Sequence, residues 1–155
     1  HLPDVTVITP VFDETGTEVI FLTASRGHHA DIGGKTPGSA PPDSRHIDEE
    51  GVLIDNVLLV DGGTLRDAAA RALLASGPYP CRNVDDNMAD LAAQVAANAT
   101  GAAELTKATR QFGLEVVQAY MGHVQDNAEE NVPNQSSDHC GPNDAQRHGR
   151  FHRHV

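Results

Sequence analysis

The chain has no tryptophan, and its Phe and Tyr together make up 4% of its 155 residues. A core must therefore be built from Val, Leu, Ile and Ala. Its two cysteines, Cys81 and Cys140, lie far apart in sequence. They support neither a disulfide framework nor a cysteine-based zinc pattern. A reducing, cytoplasmic location is the natural expectation for so few. No apolar run is long enough to span a bilayer, and no basic-then-apolar segment marks a signal peptide. Positive charge is scarce too. Eleven Lys and Arg stand against 22 Asp and Glu, a formal net charge of -11. That argues against nucleic acid or an anionic membrane as a partner, since both require basic surface. A Walker loop is also missing. Gly33-Gly34-Lys35-Thr36 lacks the earlier glycine at the right spacing, so ATP binding within this chain is unsupported. The sequence does not begin with Met, which reads as a processed or partial chain.

What is present is patterned. Asp4 to Phe12 reads as a strand with apolar groups on both faces, which predicts burial on two sides. Asp13-Glu14-Thr15-Gly16-Thr17 reads as a hairpin loop, and Glu18 to Ser25 as the returning strand. Gly33 to Ser44, rich in Gly, Pro and Ser, is an ordered loop or a lid, not a helix. Val52 to Val60 predicts one or two short strands ending at Asp61-Gly62-Gly63. Thr64-Leu65-Arg66-Asp67 fits a capping box for a helix with Leu65, Ala69, Ala72 and Leu73 on its apolar face. That helix stops at Ser76-Gly77-Pro78. A second helix opens at Asp85-Asp86, with Met88, Leu91, Ala92, Val95 and Ala99 at helical spacing. Gly101 interrupts, and a third helical pattern runs from about Ala102 to Glu130. After Pro133 the chain is polar and holds four of its nine His. A segment with so little apolar surface is expected to be disordered, 133–155 forming a His-rich tail.

Arg26-Gly27-His28-His29-Ala30-Asp31-Ile32-Gly33-Gly34 carries the densest chemistry. It puts two imidazoles and a carboxylate directly after a strand. His1 and Asp4 precede the partner strand, and an antiparallel hairpin brings the two outer ends together. Imidazole plus carboxylate suits Zn, Mn or Fe. In an extended strand His28 and His29 would face opposite ways. Binding one ion with both therefore needs a turn there, which Gly27 and Gly33-Gly34 make plausible. Asp31 is a third carboxylate ligand or an acceptor that orients an imidazole. His123, with Tyr120 and Asn127, forms a polar stripe on the third helix. That stripe faces solvent, or else a site or a partner subunit.

These residues also carry a resemblance. His-Leu-Pro-Asp-Val-Thr-Val at 1–7, Ser-Arg-Gly-His-His-Ala-Asp-Ile-Gly-Gly at 25–34 and Thr-Pro-Gly-Ser at 36–39 resemble the hydantoinase B / 5-oxoprolinase family. So do Arg-Asn at 82–83, Asp-Leu-Ala-Ala-Gln-Val-Ala-Ala-Asn at 90–98 and Val-Val-Gln-Ala-Tyr-Met-Gly-His-Val-Gln at 116–125. The match is collinear over residues 1–132 and does not extend to 133–155. It implies an α+β fragment of a larger hydantoinase B type domain, with an N-terminal β-hairpin and short strands followed by helices. The implied activity is ATP-dependent hydrolysis of a cyclic amide such as 5-oxoproline or hydantoin. ATP would be bound by a hydantoinase A type subunit or domain that phosphorylates the substrate. The alternatives are a metal-dependent ketone carboxylase of the same family and a truncated, non-catalytic fragment. The resemblance further implies a divalent metal (Mn or Zn, with Mg as the third choice) on His1, Asp4 and either His28 or His29. Asp31 and His123 are expected in supporting catalytic roles. An incomplete domain would also expose apolar faces and invite homo-oligomerisation.

Overall fold

A computed structural model describes the backbone of residues 2–137 and the side chains of residues 2–131. Strand β1, Asp4–Phe12, pairs antiparallel with β2, Val19–His28. The register runs from Asp4 opposite His28 to Phe12 opposite Val19, with an irregularity between Val11 and Phe12. Asp13 closes the turn. Its Oδ1 accepts from the Thr17 and Glu18 N–H groups at 2.9 and 3.0 Å, and the Thr15 hydroxyl donates to its Oδ2 at 2.6 Å. Those bonds, the Thr15 hydroxyl foremost, hold the carboxyl at a pKa of about 2.

β2 continues three residues beyond the expected end at Ser25, so His28 lies in the strand. Gly27 makes no turn. A Cβ there would lie 3.4 Å from Gln94 Cδ, so the glycine gives room to a side chain packed over it. Val5, Val11 and Phe21 are buried on one face, while Ile8 and Leu22 on the other are 61% and 66% exposed. Burial on both faces is thus not seen among the described residues.

The covered face meets α2, Val84–Phe112. Buried on this helix are Met88 and Leu91 together with Asn87, Gln94 and Asn98. Gln94 Nε2 donates to the Val5 and Ser25 carbonyls at 2.9 and 3.0 Å. Asn98 Nδ2 donates to the Val7 carbonyl at 2.9 Å and to Thr9 Oγ1 at 3.1 Å. Two amides therefore dock the helix on strand carbonyls, and Ala92 and Ala99, expected in the apolar face, are exposed. The helix runs unbroken through Gly101, whose Cβ would sit 3.4 Å from Thr23 Cγ2. It ends instead before Gly113, which adopts φ +88.

The segment expected as strands over Val52 to Val60 is mostly irregular. Only β3, Val60–Asp61, pairs with β4, Thr64–Leu65. Thr64 is therefore committed to a ladder, and α1, Asp67–Leu74, starts after Arg66 without a side-chain cap. Ala70 and Leu74 are its buried positions, while Ala69 and Ala72 are exposed. The core gathers Val5, Ile32, Val52, Ala70, Leu74, Cys81, Met88 and Leu91. Gly33, at φ +95, lets the loop after β2 reach this core; a Cβ there would fall 2.1 Å from the Tyr79 carbonyl oxygen.

These elements belong to a first compact unit, residues 1–105; a second comprises residues 106–155, described to 137. In the second, the last turns of α2 are followed by α3, Leu114–Ser137. On α3, Val116, Tyr120 and Val124 are 46%, 68% and 67% exposed. No helix among the described residues is long and apolar enough to cross a membrane. The α+β architecture, hairpin first and helices after, is as the sequence predicts.

Candidate functional site

The hairpin register places Asp4 directly across from His28. Cross-strand neighbours stand close enough for short side chains to touch. Here His28 Nδ1 lies 3.0 Å from Asp4 Oδ1, with the two side chains 59% and 34% exposed. The His28 bond is the main reason the Asp4 carboxyl stays below its ordinary pKa, against a smaller opposing effect of burial.

His29 points the other way, as strand alternation requires, and is 1% exposed. Its N–H donates to the Pro3 carbonyl at 2.9 Å. Its Nδ1 lies 2.7 Å from Asn87 Oδ1 and its Nε2 3.2 Å from Gln94 Oε1. Both amides are fixed in orientation. Asn87 Nδ2 donates to the Asp31 and Asn83 carbonyls at 2.8 and 2.9 Å, and Gln94 Nε2 donates to the two strand carbonyls. Flipping either amide would set its oxygen against carbonyl oxygens. Both His29 ring nitrogens therefore lie against amide oxygens in the interior, and neither opens onto space that an ion could occupy.

Asp31 is held by its own loop. Its oxygens accept from the Gly33 N–H at 2.9 Å, the Gly38 N–H at 3.1 Å and Arg82 Nη1 at 2.7 Å. Arg82 Nη2 donates to the Gly34 carbonyl at 2.6 Å. Burial works against ionisation of Asp31, yet these donors prevail and its pKa lies below the ordinary value. Ser39, buried, accepts from the Ile32 N–H and donates to the Gly33 carbonyl at 2.7 Å. Cys81 is a buried free thiol whose pKa is raised to about 11, mainly by burial.

His123 lies in the second unit, where Tyr120 meets it edge-on at 6.1 Å between ring centroids. His1 lies outside the described residues, as do residues 138–155 of the expected tail. Of the six site residues named from sequence, the structure sets Asp4 against His28, turns His29 into the interior and engages Asp31 with Arg82. Sequence reasoning gave Gln94 and Asn98 no role of their own and joined neither to Asn87. Their signal was available: three amides at spacings of seven and four, sharing a helix face with Leu91.

The pair fits a divalent ion in part. A tetrahedral ion with bonds of about 2.0–2.2 Å keeps its donors about 3.3 Å apart; Asp4 and His28 stand 3.0 Å apart. No three His, Cys, Asp or Glu among the described residues converge to complete a shell.

The sequence profile of the hydantoinase B/oxoprolinase family matches residues 1–138. The chain belongs to this family. A 5-oxoprolinase from Dictyostelium discoideum is 48% identical over 129 residues, covering 83% of this chain and 10% of that protein. A caprolactamase subunit beta from Pseudomonas jessenii is 30% identical over 132 residues, covering 85% of this chain and 22% of the other. The crystal structure of an ATP-dependent caprolactamase from the same species superposes with a TM-score of 0.71 at 31% identity. That match covers 84% of this chain and 21% of the crystallised one. This hydantoinase B/oxoprolinase chain thus spans about a tenth to a fifth of the length of these relatives.

Proposed function

We propose that this chain contributes to an ATP-dependent hydrolase of a cyclic amide, with 5-oxoproline as the substrate. The observation that carries the reading is the Asp4–His28 pair at the open end of the hairpin, in a chain 48% identical to a 5-oxoprolinase. In the same reading, residues 1–138, which the family profile matches, are part of a hydantoinase B domain, and the His-rich residues beyond them lie outside it.

Asp4 and His28 would hold a divalent metal, Mn or Zn, with His1 as a further donor. Such an ion supplies a Lewis acid for the amide carbonyl or an activated water. His29 is a supporting strut in this scheme, because its ring is buried between the Asn87 and Gln94 amides. Asp31 acts through the loop it holds, and His123 is kept as a supporting residue. ATP enters through a hydantoinase A type subunit or domain, a role supported by the ATP-dependent caprolactamase and by the naming of its relative as a subunit. The cytoplasm is the proposed location.

Metal content tests the reading. The purified chain is dialysed against Mn or Zn and compared with Asp4→Ala, His28→Ala and His29→Gln variants. Near-stoichiometric metal, lost in the first two and kept in the third, is expected. Equal metal in all four would overturn the site. Ring opening of 5-oxoproline is then assayed with the hydantoinase A type partner and ATP.

A further inference from the structure

The face of the hairpin that carries Asp4 and His28 also carries Arg26. Two residues before His28 on β2, it points to the same side, about 7 Å along the strand. Its cross-strand neighbour is Thr6, two residues after Asp4. Arg26 Nε donates to Thr6 Oγ1 at 3.0 Å. That bond anchors the inner edge of the guanidinium and leaves the terminal nitrogens as a fork. No carboxylate among the described residues closes on the fork. Its neighbours in the first unit are used otherwise: Arg71 pairs with Asp67 and Asp85, and Arg82 with Asp31. In a chain of net charge -11, an exposed arginine without a carboxylate partner, beside an aspartate–histidine pair, is poised for an anion from outside.

Asp4 and Thr6 also line a cleft of about 980 Å³, otherwise largely apolar, with Ile54, Leu59, Leu73 and Leu91 in its walls. The ensemble is ordered along one strand pair. It offers a carboxylate and imidazole, then a guanidinium one step on, with an apolar wall alongside.

We propose that Arg26 recognises the carboxylate of the substrate. In 5-oxoproline the ring carbonyl and the carboxylate flank the lactam nitrogen. A molecule with its carbonyl toward Asp4 and His28 would turn its carboxylate along the strand toward Arg26, with its methylenes against the cleft wall. A planar guanidinium binds a carboxylate through two parallel N–H bonds, which fixes orientation as well as charge. Caprolactam has no carboxylate, so this contact would separate acid lactams from plain lactams. The proposal rests on the substrate and site readings given above.

Binding of L-5-oxoproline and of 2-pyrrolidinone, the same ring without the carboxylate, is followed by ¹H–¹⁵N NMR on the Zn-loaded chain, reading the Arg26 side-chain Nε–H and the Thr6 amide. L-5-oxoproline is expected to shift both signals, and 2-pyrrolidinone to leave the Arg26 signal in place. Arg26→Gln is expected to weaken L-5-oxoproline binding about tenfold or more without changing the affinity for 2-pyrrolidinone; Arg26→Lys, keeping the charge but not the fork, falls between. Equal affinity of Arg26→Gln and the parent chain for L-5-oxoproline overturns the proposal, as does failure of L-5-oxoproline to bind or to move the Arg26 signal. A parallel Zn titration of the Asp4 and His28 signals separates the two levels. Zn bound there with no response at Arg26 removes the proposal alone, whereas no Zn at Asp4 and His28 removes the underlying site as well.

Discussion

His29 is buried between two amide oxygens whose orientations are set by four backbone carbonyls. Removing the ring opens a cavity and leaves at least one of those oxygens unpaired in the interior, the lost bond alone costing about 1–3 kcal/mol. His29→Ala is therefore expected to lower stability by about 2–4 kcal/mol, read by urea denaturation, whereas His28→Ala at a 59% exposed position should cost far less. Asp31 gives a pH-dependent counterpart. Its folded pKa lies below the ordinary aspartate value of 3.8, so the unfolded chain binds its proton first as pH falls. Its contribution is full above pH 3.8 and fades as pH drops through the folded pKa. Asp31→Asn should cost about 1–2 kcal/mol at pH 7, the lower range because Arg82 is 40% exposed. The gap to the parent chain should close at low pH, and a constant gap would assign the effect to shape rather than charge. The sequence showed that His28 and His29 are adjacent and that a strand sends them to opposite faces. Which one turns inward was hidden, because that depends on α2 supplying amides from positions 87 and 94.

Elements end where glycine needs a left-handed backbone, not wherever glycine occurs. Gly101 and Gly122 remain inside helices; Gly113, at φ +88, separates α2 from α3. Nothing lies within 4 Å of a Cβ built at Gly122 or at Gly113, so backbone preference alone decides the outcome. Gly122→Ala should stabilise the second unit by up to about 1 kcal/mol. Gly113→Ala should destabilise it by about 1–2 kcal/mol, the cost of a Cβ in the left-handed region. Opposite shifts in Tm, measured by circular dichroism at 222 nm, are the expected result, and shifts of one sign would refute the assignment of the break. The hairpin was legible in advance because its alternation and its Asp-x-x-Gly turn are local. The capping box at Thr64 was misleading for the complementary reason: Thr64 pairs with Asp61, and a ladder partner outweighs a local cap.

For the molecule as a whole, the apolar surface exceeds what the described residues cover. Phe112, Val116, Tyr120 and Val124 recur every four residues and are 58%, 46%, 68% and 67% exposed. In the first unit Leu53, Leu58, Ile8 and Leu22 are more than half exposed. The family resemblance made the α+β order and the site region readable from sequence, but not which faces stay open. Hydrophobic spacing on α3 marks a stripe without saying what covers it. Contiguous apolar patches of this kind drive association in water. Opposing them is the net charge of -11, to which Glu115, Asp126, Glu129 and Glu130 on α3 contribute. Repulsion between like-charged copies is screened over about 10 Å at 0.1 M salt and about 3 Å at 1 M, while apolar attraction is not weakened by salt. The isolated chain is therefore expected to self-associate, and more strongly as NaCl rises from 0.05 to about 1 M. Sedimentation velocity over that range should show the weight-average mass climbing with salt and with concentration. Val116→Glu with Val124→Glu should return the mass to that of a monomer if α3 is the associating face. Unchanged association in that double variant would move the interface to the open side of the first unit, where Ile8→Lys with Leu22→Lys is the matching test.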